Sequence, residues 1–419
     1  MALSLPDDVV AAVLRRLPPW DLAVSRCVCK AWRRVVDARR LLRTDLLPLS
    51  LGGILLNYHD SWFTQFLSRP TTGAAVSCRL DYMVPPPAER GFDIMPPIYV
   101  KDHYNGLLLL HDCVVNPATR QWELLPLRPT PLTEPAPPGM CCSQDEYLVF
   151  DPTLSPNYEL LIVPNVPYKL DDDDEEQECE EYEWPPSTLI LPVFSSKTGS
   201  WEERTFGREG EAAGMLPTMV GSRRYNDHQC GYWGGALYIC CSDCFVMRIL
   251  PSDNKYRVIR MPTEDREHRH FYLGKSIKGI HGASLFQGSQ LQVWILNDPC
   301  GQVEWVLKHN IEDIFPIMPN LNYDEQQRDG PWTLQQYNYR PCFDDDYYVE
   351  HEPIVEEKFE WDSDSDNVLE PGSRSKDCCI YFLGFHPYKE IVFLCDKFDR
   401  VLAYKWSSSK LQDLGKVFT

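Results

Sequence analysis

The sequence predicts a small all-α module of three helices at the amino terminus, followed by a large all-β domain assembled from a repeated sheet unit. Three observations carry this. Apolar residues recur at helical spacing only over residues 5–43. After about residue 50, short runs of Val, Ile, Leu, Tyr and Phe are punctuated by Pro, Gly, Asn and Asp, which is the pattern of strands and turns. One strand, turn and strand pattern then recurs along the chain. At 419 residues the chain also exceeds one ordinary core, since single cores stop growing near roughly 250–300 residues.

The first element opens at "LPDDVVAAVL". Pro6 suits a first helical turn and Asp7 and Asp8 complement its dipole, while Val9, Val10, Val13, Leu14 and Leu17 recur at helical spacing. Pro18 and Pro19 stop that helix. A second starts near Trp20 or Asp21 with Leu22, Ala23 and Val24, and a third holds Trp32, Val35 and Val36. Through Asp45 the module carries nine bases against five acids, so it is mildly basic.

In the β region the repeat reads "CVVNPATRQWELLP", "LVFDPTLSPNYELLIVP", "PVFSSKTGSWEERTF", "VMRILPSDNKYRVIRMP", "VWILNDPCGQVEWVL" and "VLAYKWSSSKLQDLGKV". Its turns begin near Asn116, Asp151, Ser195, Pro251, Asn297 and Ser407, giving gaps of 35, 44, 56, 46 and 110 residues. The first four gaps fit one four-stranded propeller blade each, at roughly 40–50 residues per blade. The last encloses either a swollen blade or an unrecognised one. A β-propeller is favoured over a sandwich, because blades around an axis bury both faces of every sheet. Trp122, Trp201 and Trp305 follow their turns at similar offsets and are expected to pack between blades.

The net charge of -20 is concentrated rather than spread. Asp171 to Glu183 holds ten acids and no base, and Cys342 to Glu370 holds twelve acids and one lysine, so the rest of the chain is near neutral. Like-charge blocks resist compaction, and both are expected as solvated loop insertions, at about residues 169–186 and 341–376. No basic face offsets them, which disfavours nucleic acid as a partner. No apolar run reaches the roughly 18 residues of a membrane span, and "MALSLPDD" lacks the features of a signal peptide, so no membrane is expected and residence in cytoplasm, nucleus or both follows. The sixteen cysteines, several of them adjacent, are then expected reduced and mostly buried.

The stretch "LPDDVVAAVLRRLPPWDLAVSRCVCKAWRRVV" resembles an F-box of the plant type in its Leu-Pro opening, its "RLPPWDL" break and its "RCVCKAWRRVV" ending, departing from the commonest box at Val9 and Val10. "NGLLLLHDCVVNPATRQWELLP" resembles the first blade of F-box-associated propellers related to kelch repeats. The resemblance implies an F-box over residues 1–46, an F-box-associated β-propeller over 47–419, and a noncatalytic substrate receptor of a cullin-based (Skp–cullin–F-box) ubiquitin ligase. The partners it implies are a Skp-type adaptor, through it a cullin, and an unidentified target protein held by propeller loops.

Physical size supports such a partner. Three helices in about forty residues are near the lower limit for independent folding, so spare apolar groups must meet another surface, on the order of 800 Å² per side. Leu5, Pro6, Leu17, Val28 and Trp32 are expected to face the adaptor, and Val10, Val13, Leu14, Leu22 and Val35 to fill the inner core. Arg15, Arg16, Arg33 and Arg34 are placed to steer the module toward an acidic surface.

Two other functional classes stay open: an F-box scaffold acting outside a ligase, and a propeller-fold hydrolase, which needs two inward carboxylates at glycosidase spacing. Catalytic motifs are lacking. "GKS" at 274–276 has Arg269 where a phosphate loop needs glycine, and no Gly-x-Ser-x-Gly or His-Glu-x-x-His occurs. Cys241 and Cys244, with His228 and Cys230 nearby, have no second pair at zinc-finger spacing, and His268 and His270 read as a polar loop. No cofactor, metal or catalytic residue is expected.

Overall fold

A computed structural model describes residues 6–17, 22, 25–26, 28–39, 41, 51–57, 64–69, 80, 99–128, 136–137, 140–152, 154–168, 182–216, 229–241, 244–262, 269–276, 278–286, 289–298, 303–318, 330–335, 361–372, 380–396 and 400–417. The chain divides into two compact units, Met1–Ser50 and Leu51–Thr419. Among the described residues no helix is long and apolar enough to cross a membrane.

The first unit holds α1 (Asp7–Leu14) and α2 (Lys30–Ala38). Leu22, Ser25, Arg26 and Val28 also have helical backbone, but the residues between them, and with them the extent of the expected second helix, lie outside the described residues. Asp7 and Asp8 occupy the first turn of α1, and Cys29 caps α2 by accepting the Trp32 amide on its Sγ at 3.4 Å.

The second unit is all-β and propeller-like. Its strands, numbered in chain order, form successive four-stranded antiparallel sheets. The first is β3 (Asp102–Tyr104), β4 (Leu107–Leu109), β5 (Cys113–Asn116) and β6 (Gln121–Leu124). The second is β7 (Gln144–Val149), β8 (Glu159–Pro164), β10 (Thr188–Ser195) and β11 (Ser200–Glu209), with β9 (Glu183–Trp184) and β12 (Gly214–Met215) paired separately. The third is β13 (Cys230–Trp233), β14 (Ala236–Cys241), β15 (Phe245–Leu250) and β16 (Lys255–Arg260), and its outer strand joins β11 in parallel over Gly207 to Glu209. The fourth is β17 (Arg269–Ser276), β18 (Gly279–Phe286), β19 (Gln290–Asn297) and β20 (Glu304–Ile311); the fifth is β22 (Ile380–Phe385), β23 (Ile391–Asp396), β24 (Arg400–Lys405) and β25 (Lys410–Lys416). A sixth sheet combines β1 (Gly53–Leu56) and β2 (Gln65–Ser68) with the late strand β21 (Thr333–Gln335).

Apolar clusters lie between successive sheets and close the ring. Leu107, Leu109 and Val114 of the first sheet meet Leu148, Leu160 and Phe194 of the second, and similar clusters join second to third, third to fourth and fourth to fifth. In the sixth sheet the adjacent residues Leu55 and Leu56 point to opposite faces: Leu56 packs on Val401 and Leu414 of the fifth sheet, Leu55 on Leu108 and Val115 of the first. Burial on both faces explains why second strands such as β8, β14 and β23 are continuous apolar runs, whereas outer strands such as β11 are largely exposed.

The structure corrects two sequence expectations here. The Asp151 turn joins β7 to β8, while the turns at Asn116, Ser195, Pro251, Asn297 and Ser407 each join a third to a fourth strand. The repeat from Leu148 to Pro164 is therefore the front half of the sheet completed by the next repeat, and the gaps of 35 and 44 residues do not each mark a blade. The long last gap contains a strand lent to another sheet: residues 330–332 run along β25, with Trp332 N donating to Leu414 O at 2.8 Å, before β21 joins β2. Only glycines permit that approach, since a Cβ on Gly330 would lie 2.0 Å from Gly415 Cα.

Of the two acidic stretches only residues 182–186 and 361–372 are among the described residues, and these are not uniformly solvated. Trp184 is buried and its strand pairs with β12. In residues 361–372, Asp366 forms a buried ion pair with Arg69 at 3.0 Å, Asp364 pairs with Lys405, Lys389 Nζ donates to Ser363 Oγ at 2.7 Å, and Val368 bridges to Gln412. Arg69, Lys389 and Lys405 offset charge that composition alone reads as a solvated loop.

Candidate functional site

The amino-terminal unit hides Ala11, Leu14, Leu22, Val35, Val36 and Leu41 in its core, with Val10 and Leu17 packed partly against them. Outside this core stand Val9 at 44% exposure, Val13 at 55%, Val28 at 63% and Trp32 at 36%. Val9 and Val13 are four residues apart on α1 and so form one contiguous apolar step, whereas Val28 precedes the extended Cys29 cap and Trp32 lies in the first turn of α2.

Of the five residues expected to face the adaptor, Pro6, Val28 and Trp32 are exposed, Leu17 is half-buried against the core, and Leu5 lies outside the described residues. Val13, expected in the core, is instead exposed, and Val9 joins it. The signal for both was present in the spacing: at about 100° per residue, Val9 and Val13 sit roughly 60–100° round α1 from Val10, away from Leu14 and Ala11.

Charge braces this surface from behind. Arg26 grips Asp37 through Nε and Nη2 at 2.7 and 3.2 Å, Arg34 reaches Asp7 at 3.3 Å, tying α2 to α1, and Arg39 pairs with Asp8. Arg33 lies 3.9 Å from Asp37. Arg15 and Arg16 are exposed. Arg33 and Arg34 therefore share their charge with acids of the same unit rather than presenting it whole to a partner.

In the β unit the residues singled out for chemistry resolve into packing. The "GKS" residues lie within β17, where buried Ser276 donates to His386 O at 2.8 Å. Cys241 is buried, and burial pushes its thiol well above the usual range, which disfavours the thiolate a metal needs. His228 and His268 lie outside the described residues, and His270 is exposed. Among the described residues no three His, Cys, Asp or Glu side chains gather to hold a metal. Carboxylates on first strands have protein partners: Asp102 accepts from Leu148 N at 2.8 Å, Glu146 from Lys101 at 3.0 Å and Asp145 from Asn165 at 2.7 Å. Trp201 and Trp305 donate from Nε1 to Pro126 O and Arg260 O, both at 3.0 Å, so each pins its outer strand to the end of the preceding sheet. Trp122 packs between the first and sixth sheets.

One other cluster stands apart from these. The tight turns Asn105-Gly106 and Gly234-Gly235, positive in φ at both central residues, bring Tyr104, Tyr232 and Trp233 together with Lys275 at one end of the ring.

Residues 2–44 match the family model for the F-box domain. No curated protein matches the chain. Among solved structures, "YCF48 bound to D1 peptide" is similar over 73% of this chain and 60% of its own, at 10% identity and a TM-score of 0.29. The chain thus spans 60% of that structure's length. An F-box domain and a propeller-like β domain therefore share one chain.

Proposed function

We propose that the protein is the substrate-recognition subunit of an SCF-type E3 ubiquitin ligase, with a plant-type F-box and kelch-like blades. In this reading the F-box grips a Skp-type adaptor, and through it a cullin, by Leu5, Pro6, Leu17, Val28 and Trp32, extended along α1 by Val9 and Val13. The propeller-like unit holds the target protein, whose lysines then meet the ubiquitin carrier at high effective concentration. Chemistry resides in the partner subunits.

The observation that carries this reading is the exposed apolar face of a unit whose residues match the F-box model. Covering such a face is what a helical partner supplies. The test is reconstitution: full-length protein, Skp-type adaptor, cullin and the ubiquitin-activating and -conjugating enzymes, with a partner captured on the full chain as substrate. Adaptor retention together with ubiquitin transfer to the captured partner is expected. Retention without transfer supports a scaffold instead, and no retention removes the proposal.

A further inference from the structure

Within the propeller-like unit the first-hairpin turns of five sheets gather at one end. Asn105 Nδ2 donates to Phe150 O at 2.9 Å, Gly279 lies beneath the Trp233 ring, and Lys278 pairs with Glu390 at 2.8 Å, linking the turns of the first, second, third, fourth and fifth sheets. Tyr104 crosses from the first sheet. Its hydroxyl donates to Tyr232 O and accepts from Lys275 Nζ at 2.7 Å.

The Lys275 ammonium is the unusual group. It is half-buried, 4.6 Å from the Tyr104 ring centroid and 5.5 Å from that of Trp233. Four sequestered arginines of this unit have carboxylates: Arg69 has Asp366, Arg204 has Glu159, Arg248 has Asp298 and Arg400 has Asp413, while the half-buried Lys389 is held by Ser363 and the Trp361 ring. Lys275 has none at ion-pair distance among the described residues. With one of its three N–H donors on Tyr104, two remain to be satisfied. Trp233, 39% exposed, offers an apolar face beside them.

We infer that this end of the ring docks an acidic segment of a partner protein, with a glutamate or aspartate carboxylate on Lys275 and a flanking apolar side chain on Trp233. The inference rests on the proposed role as a target receptor and names the chemistry of the target. A carboxylate fits better than a phosphate. Lys275 is a single point charge with no arginine fork beside it, and Asp151, close enough to favour the charged ammonium, repels a dianion more than a monoanion. Burial acts the other way on Lys275, lowering its pKa, so a bound carboxylate stabilises the charge that the site desolvates.

The test uses immobilised full-length protein and biotinylated random nonapeptide pools whose fixed central residue is Glu, Gln or phosphoserine. No ligase component is present, so failure here leaves adaptor binding untouched, and failure of adaptor binding leaves this result standing. Wild type is expected to retain the Glu pool about tenfold over the Gln pool, with K275Q abolishing the preference and K275R keeping part of it. W233A is expected to weaken retention of both pools, and K255Q, remote on β16, to change nothing. Thermal midpoints matched to wild type certify that each variant is folded, and W233A, at an exposed position, reads the site if K275Q is not. Equal retention of the Glu and Gln pools, a preference that survives K275Q, stronger retention of the phosphoserine pool, or a Glu preference that appears only when the chain's own acidic residues 342–360 are removed overturns the inference.

Discussion

The two units of this chain use apolar side chains in opposite ways. The propeller-like unit buries the apolar residues of its inner strands between neighbouring sheets, so that Phe194 or Leu414 is already spoken for by the next sheet in the ring. Among its described residues the F-box unit buries six and leaves Val9, Val13, Val28 and Trp32 in water. An apolar side chain held between sheets is therefore a stability residue, whereas the ones the F-box unit leaves exposed are candidates for a partner. Substitutions should separate the two.

The largest expected effect is in the ring. Phe194→Ala opens a cavity between the first and second sheets, beside Tyr158 and Trp201, and is expected to destabilise by about 3–5 kcal/mol in urea unfolding. Adaptor binding below the unfolding midpoint is expected to persist. Loss of adaptor binding in a folded variant would break the division of roles.

Next comes a pH effect peculiar to the ring. His386 is buried, its Nδ1 accepts the Tyr388 amide at 3.0 Å, and the rings of Trp361 and Phe393 flank it. Burial first, then the charge of Lys389, lowers its pKa from 6.5 to about 4. The imidazole is thus neutral when folded, and the unfolded chain binds the extra proton between those values. Stability from this group is complete above about pH 6.5 and is lost as pH falls toward 4, by about 3 kcal/mol in all. His386→Asn keeps an acceptor for the amide and should flatten that part of the wild-type profile, measured by urea unfolding from pH 7.5 to 4.5. A slope unchanged by the substitution would refute the assignment.

A surface change follows. Trp32→Ala removes a half-exposed indole from the F-box face, and about 2 kcal/mol of adaptor affinity, roughly thirtyfold, is expected to go with it. The thermal midpoint of the β unit should not move. Adaptor affinity equal to wild type in calorimetry would return Trp32 to the status of an ordinary exposed side chain.

Why one unit's role was easier to read than the other's follows from the same contrast. Helical spacing separated Leu14 and Val35 from the surface, and several ordered features of the first forty residues together carried the F-box resemblance. Val13 was misplaced because Val9, Val10, Val13, Leu14 and Leu17, five apolar residues within nine positions, look alike until their angle round the helix is counted. In the β unit the turn chemistry at Asn116, Ser195 and Asn297 revealed the sheets, but the Asp151 turn has similar Pro, Ser and Asn content at a different place in its sheet. The loan of β21 to the sixth sheet, and the docking of Asp366 on Arg69, depend on contacts between residues 265 and more positions apart or on a glycine-to-glycine approach, and no local pattern encodes them. Lys275 was hidden for a related reason: its neighbours Tyr104 and Trp233 come from other sheets, so "GKS" was visible only as a failed phosphate loop.

The smallest expected effect tests whether charge on the F-box grips or merely guides. Arg34 is 70% exposed and its pairing with Asp7 spans the two helices at 3.3 Å. An exposed pair at that distance is largely screened, so Arg34→Gln should leave the thermal midpoint where it was. If the adaptor face is acidic, losing this cation should slow association about two- to threefold at low salt, leave dissociation unchanged, and have no effect near 0.5 M salt, where the Debye length is only a few ångströms. Stopped-flow mixing at two ionic strengths reads both rates. A change in dissociation instead would mean that Arg34 contacts the adaptor directly, and the boundary between apolar grip and charged rim would have to be redrawn around α2.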